Sequence, residues 1–144
     1  MWEAPEPGDI VWCRFPQRPR DVPGPKPRPA LVLVVTERED GVSVTVAYGT
    51  SKKLDRLAAG EFAIRKDRNK AAYEMAGLAH DTKFDLRNRI ELPWNDVFFA
   101  VPPNPRHGQT PKLGSLHIGM ERALKAAAKT VLVTHEAQPV SQWG

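Results

Sequence analysis

Two cations stand among closely spaced prolines, just before the most apolar stretch of the chain. Residues 23–34 read PGPKPRPALVLV, so Lys26 and Arg28 alternate with four prolines. Proline fixes its own φ and pushes the preceding residue out of the helical region, so both cations are expected in extended backbone. An arginine presents a planar fork of donors that matches the oxygens of a phosphate. Either the prolines aim Arg28 at an anionic group, which is the interpretation we favour, or Arg28 is a solvated charge at the end of a loop.

Two hydroxyls follow a glycine at the end of a predicted strand. Thr50 and Ser51 come directly after Gly49, and a glycine lets a backbone and a ligand approach each other closely. A hydroxyl can donate a hydrogen bond to a phosphate oxygen. Threonine and serine are also ordinary turn residues, so the sequence leaves open whether these two bind a ligand or only shape a turn.

Three further polar residues lie between positions 80 and 85. Lys83 and Asp85 are two apart in a predicted strand, which places both on one face. Either they serve a site on that face or they form a surface pair. His80, beside Asp81, is a candidate for proton transfer, although histidines are also common in loops.

Several site types are excluded by the spacing of the remaining residues. His107, His117 and His135 share no metal-ligand spacing with each other or with Cys13. Neither the phosphate-binding pattern G-x-x-x-x-G-K nor the nucleophile pattern G-x-S-x-G is present. We therefore expect no metal and no cofactor.

Composition favours a soluble, basic protein. The 144 residues carry a net charge of +4 and a single cysteine, and the pI is near 9.4. One cysteine cannot pair within the chain, which favours a reducing compartment. The first residues do not match a signal peptide, and the longest apolar run, Ala30 to Val35, is far too short to span a bilayer. We expect a cytoplasmic protein with an anionic partner and no membrane contact.

The positive charge is concentrated in one proline-rich segment. Six of the fourteen prolines lie between positions 16 and 29. Five cations fall in the overlapping stretch 14–28: Arg14, Arg18, Arg20, Lys26 and Arg28. This composition predicts a long, stiff, cationic loop between two strands.

Strand signals outnumber helix signals. Alternating or continuous β-branched and aromatic runs predict strands at 9–15, 29–37, 42–48, 61–64 and 82–93, the last bent around 86–88 and the second buried on both faces. A short helical segment is expected at 69–76. Helical spacing from Leu113 to Ala127, with Ser115 as N-cap, predicts a late helix. Trp12 and Trp94 either stack on bases or, as is commoner in strands, pack in the core.

These elements predict a mainly β fold. We expect a small, partly open β-barrel with a C-terminal helix and short helical insertions. The domain is expected to span residues 1–133, followed by an exposed tail at 134–144.

Five segments follow one another in a specific order: PGDIVWCRFP, KPRPALVLVV, VTVAYGTSK, KFDLRNRIELPW and a closing LGSL before a helix. Their order resembles the MazF/PemK family of toxins from bacterial type II toxin–antitoxin systems. The resemblance extends from about Pro7 to about Ala128. It implies an SH3-like barrel, a homodimer, cleavage of specific sequences in single-stranded RNA without metal, and neutralisation by a cognate antitoxin protein.

The resemblance also implies roles for particular residues. Arg28 matches the family's catalytic arginine, and Thr50 or Ser51 matches its catalytic hydroxyl. Lys83 and Asp85 stand where the family carries a basic residue and an aspartate near the RNA. The loop cations Arg18, Arg20 and Lys26 are expected to contact the RNA backbone. The general base stays open between Asp85 and His80, because an arginine remains protonated in proteins.

This chain departs from the family pattern in two places, and three functions stay open. AYGTS stands where smaller members have a proline and an aliphatic residue before the hydroxyl, and the connection from 51 to 80 is longer. The leading interpretation is an endoribonuclease toxin. The alternatives are a nucleic-acid-binding barrel without catalysis, and a toxin that acts on a protein target such as gyrase.

Overall fold

The computed structural model describes residues 2–17 and 22–136, with backbone only for 132–136. Its elements are β1 (Asp9–Cys13), β2 (Arg28–Arg38), β3 (Gly41–Thr50), β4 (Glu61–Ile64), α1 (Lys70–Met75), β5 (Thr82–Pro93), β6 (Lys112–Ser115), a 3₁₀ turn (Ile118–Met120) and α2 (Glu121–Glu136). The strands of this described part form one antiparallel sheet in the order β4-β5-β3-β2-β1-β6, which does not close. The mainly β, partly open fold with a C-terminal helix is confirmed.

The central strands are buried on both faces. Ile10 and Leu31 belong to an apolar cluster covered by α1 and α2, whereas Val11 and Val32 belong to a second cluster on the opposite face. Full burial of an aliphatic side chain of this size contributes about 1.5–3 kcal/mol. The predicted two-sided burial of β2 ends early, because Val34 is 50% exposed.

A bulge bends β5 at the predicted position. Consecutive β3 residues Ala47 and Tyr48 oppose Arg89 and Asp85, so residues 86–88 form an insertion in the ladder. A bulge bends its strand and increases the local twist. The first part of β5 can therefore pair with the end of β3 and with β4 at the same time.

The predicted start of the late helix is wrong. Ser115 does not cap a helix but closes β6, opposite Asp9 of β1, and its Oγ lies 3.3 Å from the Asp9 carboxylate. The chain turns later, where the His117 ring accepts a hydrogen bond from the Gly119 amide at 2.8 Å, and α2 begins at Glu121. Pairing with β1 overrides the local helical spacing. None of the helices in the described ranges has the length and apolarity needed to cross a bilayer.

Candidate functional site

A cleft of roughly 350 Å³ opens where the beginning of β2 meets the end of β3. Its lining includes five of the predicted catalytic, proton-transfer or RNA-binding residues: Lys26, Arg28, Thr50, Ser51 and His80. We call it the Arg28 cleft. Its remaining walls are Trp12, Pro27, Pro29, Gly49, 77–79, Thr82, Pro102, Pro103 and Leu113.

Gly49 brings the two strands together at this point. Tyr48 pairs with Ala30, so Gly49 lies next to Pro29 in the neighbouring strand. A Cβ built on Gly49 would overlap the carbonyl oxygen of Pro29 and press on the Phe84 ring. The absence of a Cβ on Gly49 therefore lets the neighbouring backbone approach closely, and the predicted close approach of a ligand stays a prediction. Its effect is to hold Thr50 beside the segment that carries Arg28.

Arg28 lines the cleft and has no side-chain partner in the described part of the chain. Its side chain is half-buried, and its guanidinium makes no hydrogen bond or ion pair within residues 2–17 and 22–136. A guanidinium is always charged and offers five N–H donors. Pairing with Cys13 fixes the backbone from which the Arg28 side chain extends, and binding of an anion by this side chain stays a prediction.

The two hydroxyls differ in how they are held. Thr50 is half-buried, and its Oγ1 accepts a hydrogen bond from the Lys52 amide at 3.2 Å. This contact orients the oxygen and leaves the hydroxyl hydrogen available to a ligand. Ser51 is exposed at the mouth of the cleft. Thr50 is thus the better-positioned donor of the two.

His80 also lines the cleft, from the turn between α1 and β5. Its ring is exposed, and its carbonyl oxygen accepts a hydrogen bond from Thr82 Oγ1 at 2.8 Å, which holds the turn. The neighbouring Asp81 carboxylate accepts the Lys66 amide at 2.8 Å. The Asp81 carboxylate is therefore hydrogen-bonded to the backbone of another loop.

Lys83 and Asp85 share a face, as predicted, but neither lines the Arg28 cleft. Lys83 is 7% exposed, and its ammonium lies 3.1 Å from both Glu61 Oε1 and the Arg56 carbonyl oxygen. Asp85 Oδ1 accepts the Arg87 amide at 2.9 Å. Contact of these two residues with a ligand in the cleft stays a prediction, and the structure gives both of them internal partners.

The other predicted cations divide in two groups. Lys26 is exposed at the cleft. Arg18 and Arg20 lie outside the residues that the structure describes. The two tryptophans lie in different surroundings, and base stacking by Trp12 stays a prediction. Trp94 is buried with its Nε1 on the Glu3 carbonyl oxygen at 3.1 Å, whereas Trp12 is half-buried and lines the cleft.

Metal and thiol chemistry find no support in the described part of the chain. It contains no group of three or more His, Cys, Asp or Glu side chains arranged to hold a metal ion. Burial raises the pKa of the Cys13 thiol far above its ordinary value, against the smaller opposing effect of Arg14. The thiol is therefore not a nucleophile.

The apolar wall of the cleft was not predicted from the sequence. Leu78, Pro102, Pro103 and Leu113 come from three separate segments that meet only in the fold. The proline cluster at 102–105 was the available signal, since closely spaced prolines form rigid surfaces.

One family model matches the chain. It is described as PemK-like, MazF-like toxin of type II toxin–antitoxin system, and it covers residues 6–90, more than half of the 144 residues. The matched range includes Arg28, Thr50 and His80 but ends before the loop that contributes Pro102 and Pro103. No curated protein gives a significant match.

Proposed function

The chain belongs to the PemK-like, MazF-like toxin family of type II toxin–antitoxin systems, and on that premise we propose that it is an endoribonuclease that cleaves single-stranded RNA at specific sequences without a metal ion. One observation carries the proposal. The unpartnered guanidinium of Arg28 shares a cleft with the oriented hydroxyl of Thr50 and the ring of His80.

The proposed reaction uses the RNA's own 2′-hydroxyl as nucleophile. Its oxygen bonds to the adjacent phosphorus, the bond from phosphorus to the 5′-oxygen breaks, and a 2′,3′-cyclic phosphate and a 5′-hydroxyl result. One proton leaves the 2′-oxygen and one reaches the 5′-oxygen. The negative charge that develops on the non-bridging oxygens is the part of this reaction that fixed donors stabilise best.

Each cleft residue has a distinct role in this proposal. Arg28 binds the non-bridging oxygens and stabilises the transition state, and Thr50, with Ser51 as its alternative, donates one further hydrogen bond. His80 transfers a proton. It is preferred to Asp85 because it lines the cleft and Asp85 does not. Lys26 contacts a flanking phosphate.

The proposed partners follow from the family and the charge. We propose that the protein acts in the cytoplasm as a homodimer, that its domain spans residues 1–133, and that an acidic segment of a cognate antitoxin covers the cleft and blocks RNA. The net charge of +4 and the cations at the cleft support an anionic ligand and an acidic inhibitor.

The test is cleavage of a long single-stranded RNA by the purified protein in excess EDTA, with the ends mapped by sequencing. The proposal expects cuts at a defined sequence that continue in EDTA. Tight binding without cuts would instead favour a nucleic-acid-binding protein that lacks catalysis. Inhibition of gyrase with intact RNA would favour a protein target. Either result would overturn the proposal.

A further inference from the structure

We propose that the Arg28 cleft continues along residues 102–106 into a second phosphate subsite, where Arg106 binds the RNA backbone on one side of the cleaved bond. This inference rests on the ribonuclease function proposed above. The family match ends at residue 90, so it assigns no role to this loop.

The geometric basis is a second cavity that adjoins the first. It measures roughly 220 Å³ and shares Gly77–Ala79, Pro102, Pro103 and Leu113 with the Arg28 cleft. It then continues past Asn104 and Pro105 to Arg106 and Lys112. Ligand pockets usually enclose about 300–1,000 Å³. A cavity below that range with a shared wall is better read as an extension of the cleft than as an independent site.

The floor of this extension is stiff. Pro102, Pro103 and Pro105 each have a fixed φ and lack an N–H, and Asn104 between them adopts a left-handed φ of 53°. Just before them, the Ala100 amide donates a hydrogen bond to the Trp12 carbonyl oxygen at 3.1 Å, which ties the loop to β1. The surface is therefore formed before a ligand arrives, and little ordering entropy is lost on binding.

The two cations at the far end of the extension differ in whether a carboxylate already lies beside them. Arg106 is exposed and makes no hydrogen bond or ion pair with any residue in the described ranges. Lys112 has its ammonium 3.6 Å from the Asp9 carboxylate, so part of its charge is already compensated. Arg106 is thus the side chain that remains available to an anion.

The charged and apolar side chains along the cleft and its extension follow one another in an order that fits one class of ligand. Arg28 stands at one end, apolar side chains of Leu78, Pro103 and Leu113 follow, and Arg106 stands at the other end. A single-stranded RNA offers the complementary order, because its phosphates alternate with unstacked bases whose faces are apolar. A duplex buries those base faces within its own stack. We therefore assign the extension to single-stranded RNA.

The experiment compares Arg106→Ala with Arg122→Ala, which removes the same side chain from an exposed position of α2 that lines neither cavity. The probe is a 2′-O-methyl oligonucleotide with the cleavage sequence mapped for the wild type, titrated between 50 and 200 mM salt. Loss of one single-strand phosphate contact lowers the salt slope by about 0.7. Over this fourfold range, wild type should lose about 2.6-fold more affinity than Arg106→Ala.

Two further readouts make the inference specific. Shortening the probe from one end should abolish the difference between Arg106→Ala and wild type, whereas shortening from the other end should preserve it. Cleavage by Arg106→Ala should show a raised KM and an unchanged kcat, because Arg106 lies away from the reacting atoms. The control Arg122→Ala should behave as wild type in all three assays.

The outcomes separate the two proposals. If wild type cleaves RNA and Arg106→Ala has the salt slope of the control, the subsite is refuted and the ribonuclease function stands. A loss of kcat with unchanged KM would also refute it, since Arg106 would then act on the chemistry. If wild type neither binds nor cleaves RNA, both proposals fail together.

Discussion

Replacement of Arg28 by lysine keeps the positive charge in the cleft and removes the planar fork of donors. Lysine places one compact ammonium where arginine can contact two phosphate oxygens at once. Removing a preorganised donor from a developing oxyanion typically lowers kcat by about 10²- to 10³-fold, or roughly 2.7–4 kcal/mol. We therefore expect Arg28→Lys to lose activity on this scale although the net charge is unchanged.

Stability should hardly change, and this makes the rate effect interpretable. Arg28 makes no hydrogen bond or ion pair within the described residues, so its replacement leaves no protein group unpaired. Substitutions away from such contacts usually alter the free energy of unfolding by less than about 0.5 kcal/mol. The thermal midpoint of Arg28→Lys should accordingly match that of wild type to within a few degrees.

The assay is single-turnover cleavage of an oligoribonucleotide by a saturating excess of enzyme in EDTA, with Arg122→Lys as the control for the same exchange on an exposed helix position. Saturation separates chemistry from binding. Cleavage by Arg28→Lys at the wild-type rate would refute the role of the guanidinium fork, and equal losses in both variants would point to a global effect.

Three other substitutions test how the cleft is built. Thr50→Val should reduce kcat more than Ser51→Ala with little change in RNA affinity, because only the Thr50 oxygen is held by a backbone amide. Equal activity of both variants would show that neither hydroxyl has the proposed role. Gly49→Ala should lower the free energy of unfolding by about 1–3 kcal/mol and reduce cleavage, because the added Cβ forces β2 and β3 apart; an unchanged denaturation midpoint would contradict the close approach. Lys83→Ala should destabilise the fold by about 3 kcal/mol, at the low end of the range for a broken buried pair, because the nearly buried Glu61 carboxylate loses its cation and keeps only the Ala58 amide at 2.7 Å; if Lys83→Ala instead weakens RNA binding at unchanged stability, Lys83 contacts the RNA.

The strands could be predicted because their signals are local. Residues 61–64 form β4 with the predicted bounds, and the bulge at 86–88 lies where the polar residues interrupt the apolar pattern of β5. The start of the late helix was predicted wrongly because the contact that decides it is not local. Its first predicted turn pairs with β1, and no local pattern reveals a partner a hundred residues away.

The site was predictable only in part. The prolines around Arg28 indicate an aimed cation, and the resemblance groups it with the hydroxyls. Two features of the cleft are predicted neither by these prolines nor by the resemblance. Gly49 packs against Pro29, and Pro102 and Pro103 form part of the cleft wall. The ion pair of Lys83 could not be predicted. Its partner Glu61 lies in β4, within the long connection between residues 51 and 80, whose path the sequence does not specify.

Removal of a single 2′-hydroxyl from the RNA tests the central claim most directly. The substrate is an oligoribonucleotide with one mapped cleavage site, prepared with ribose or with 2′-deoxyribose on the 5′ side of the scissile phosphate. In EDTA, the all-ribose RNA should be cut to a product that ends in a 2′,3′-cyclic phosphate, visible by mass spectrometry. The deoxy substrate should bind and remain intact at that site. Cleavage of the deoxy substrate at the same rate would show that another nucleophile attacks the phosphorus, and it would contradict the chemistry assigned to the Arg28 cleft.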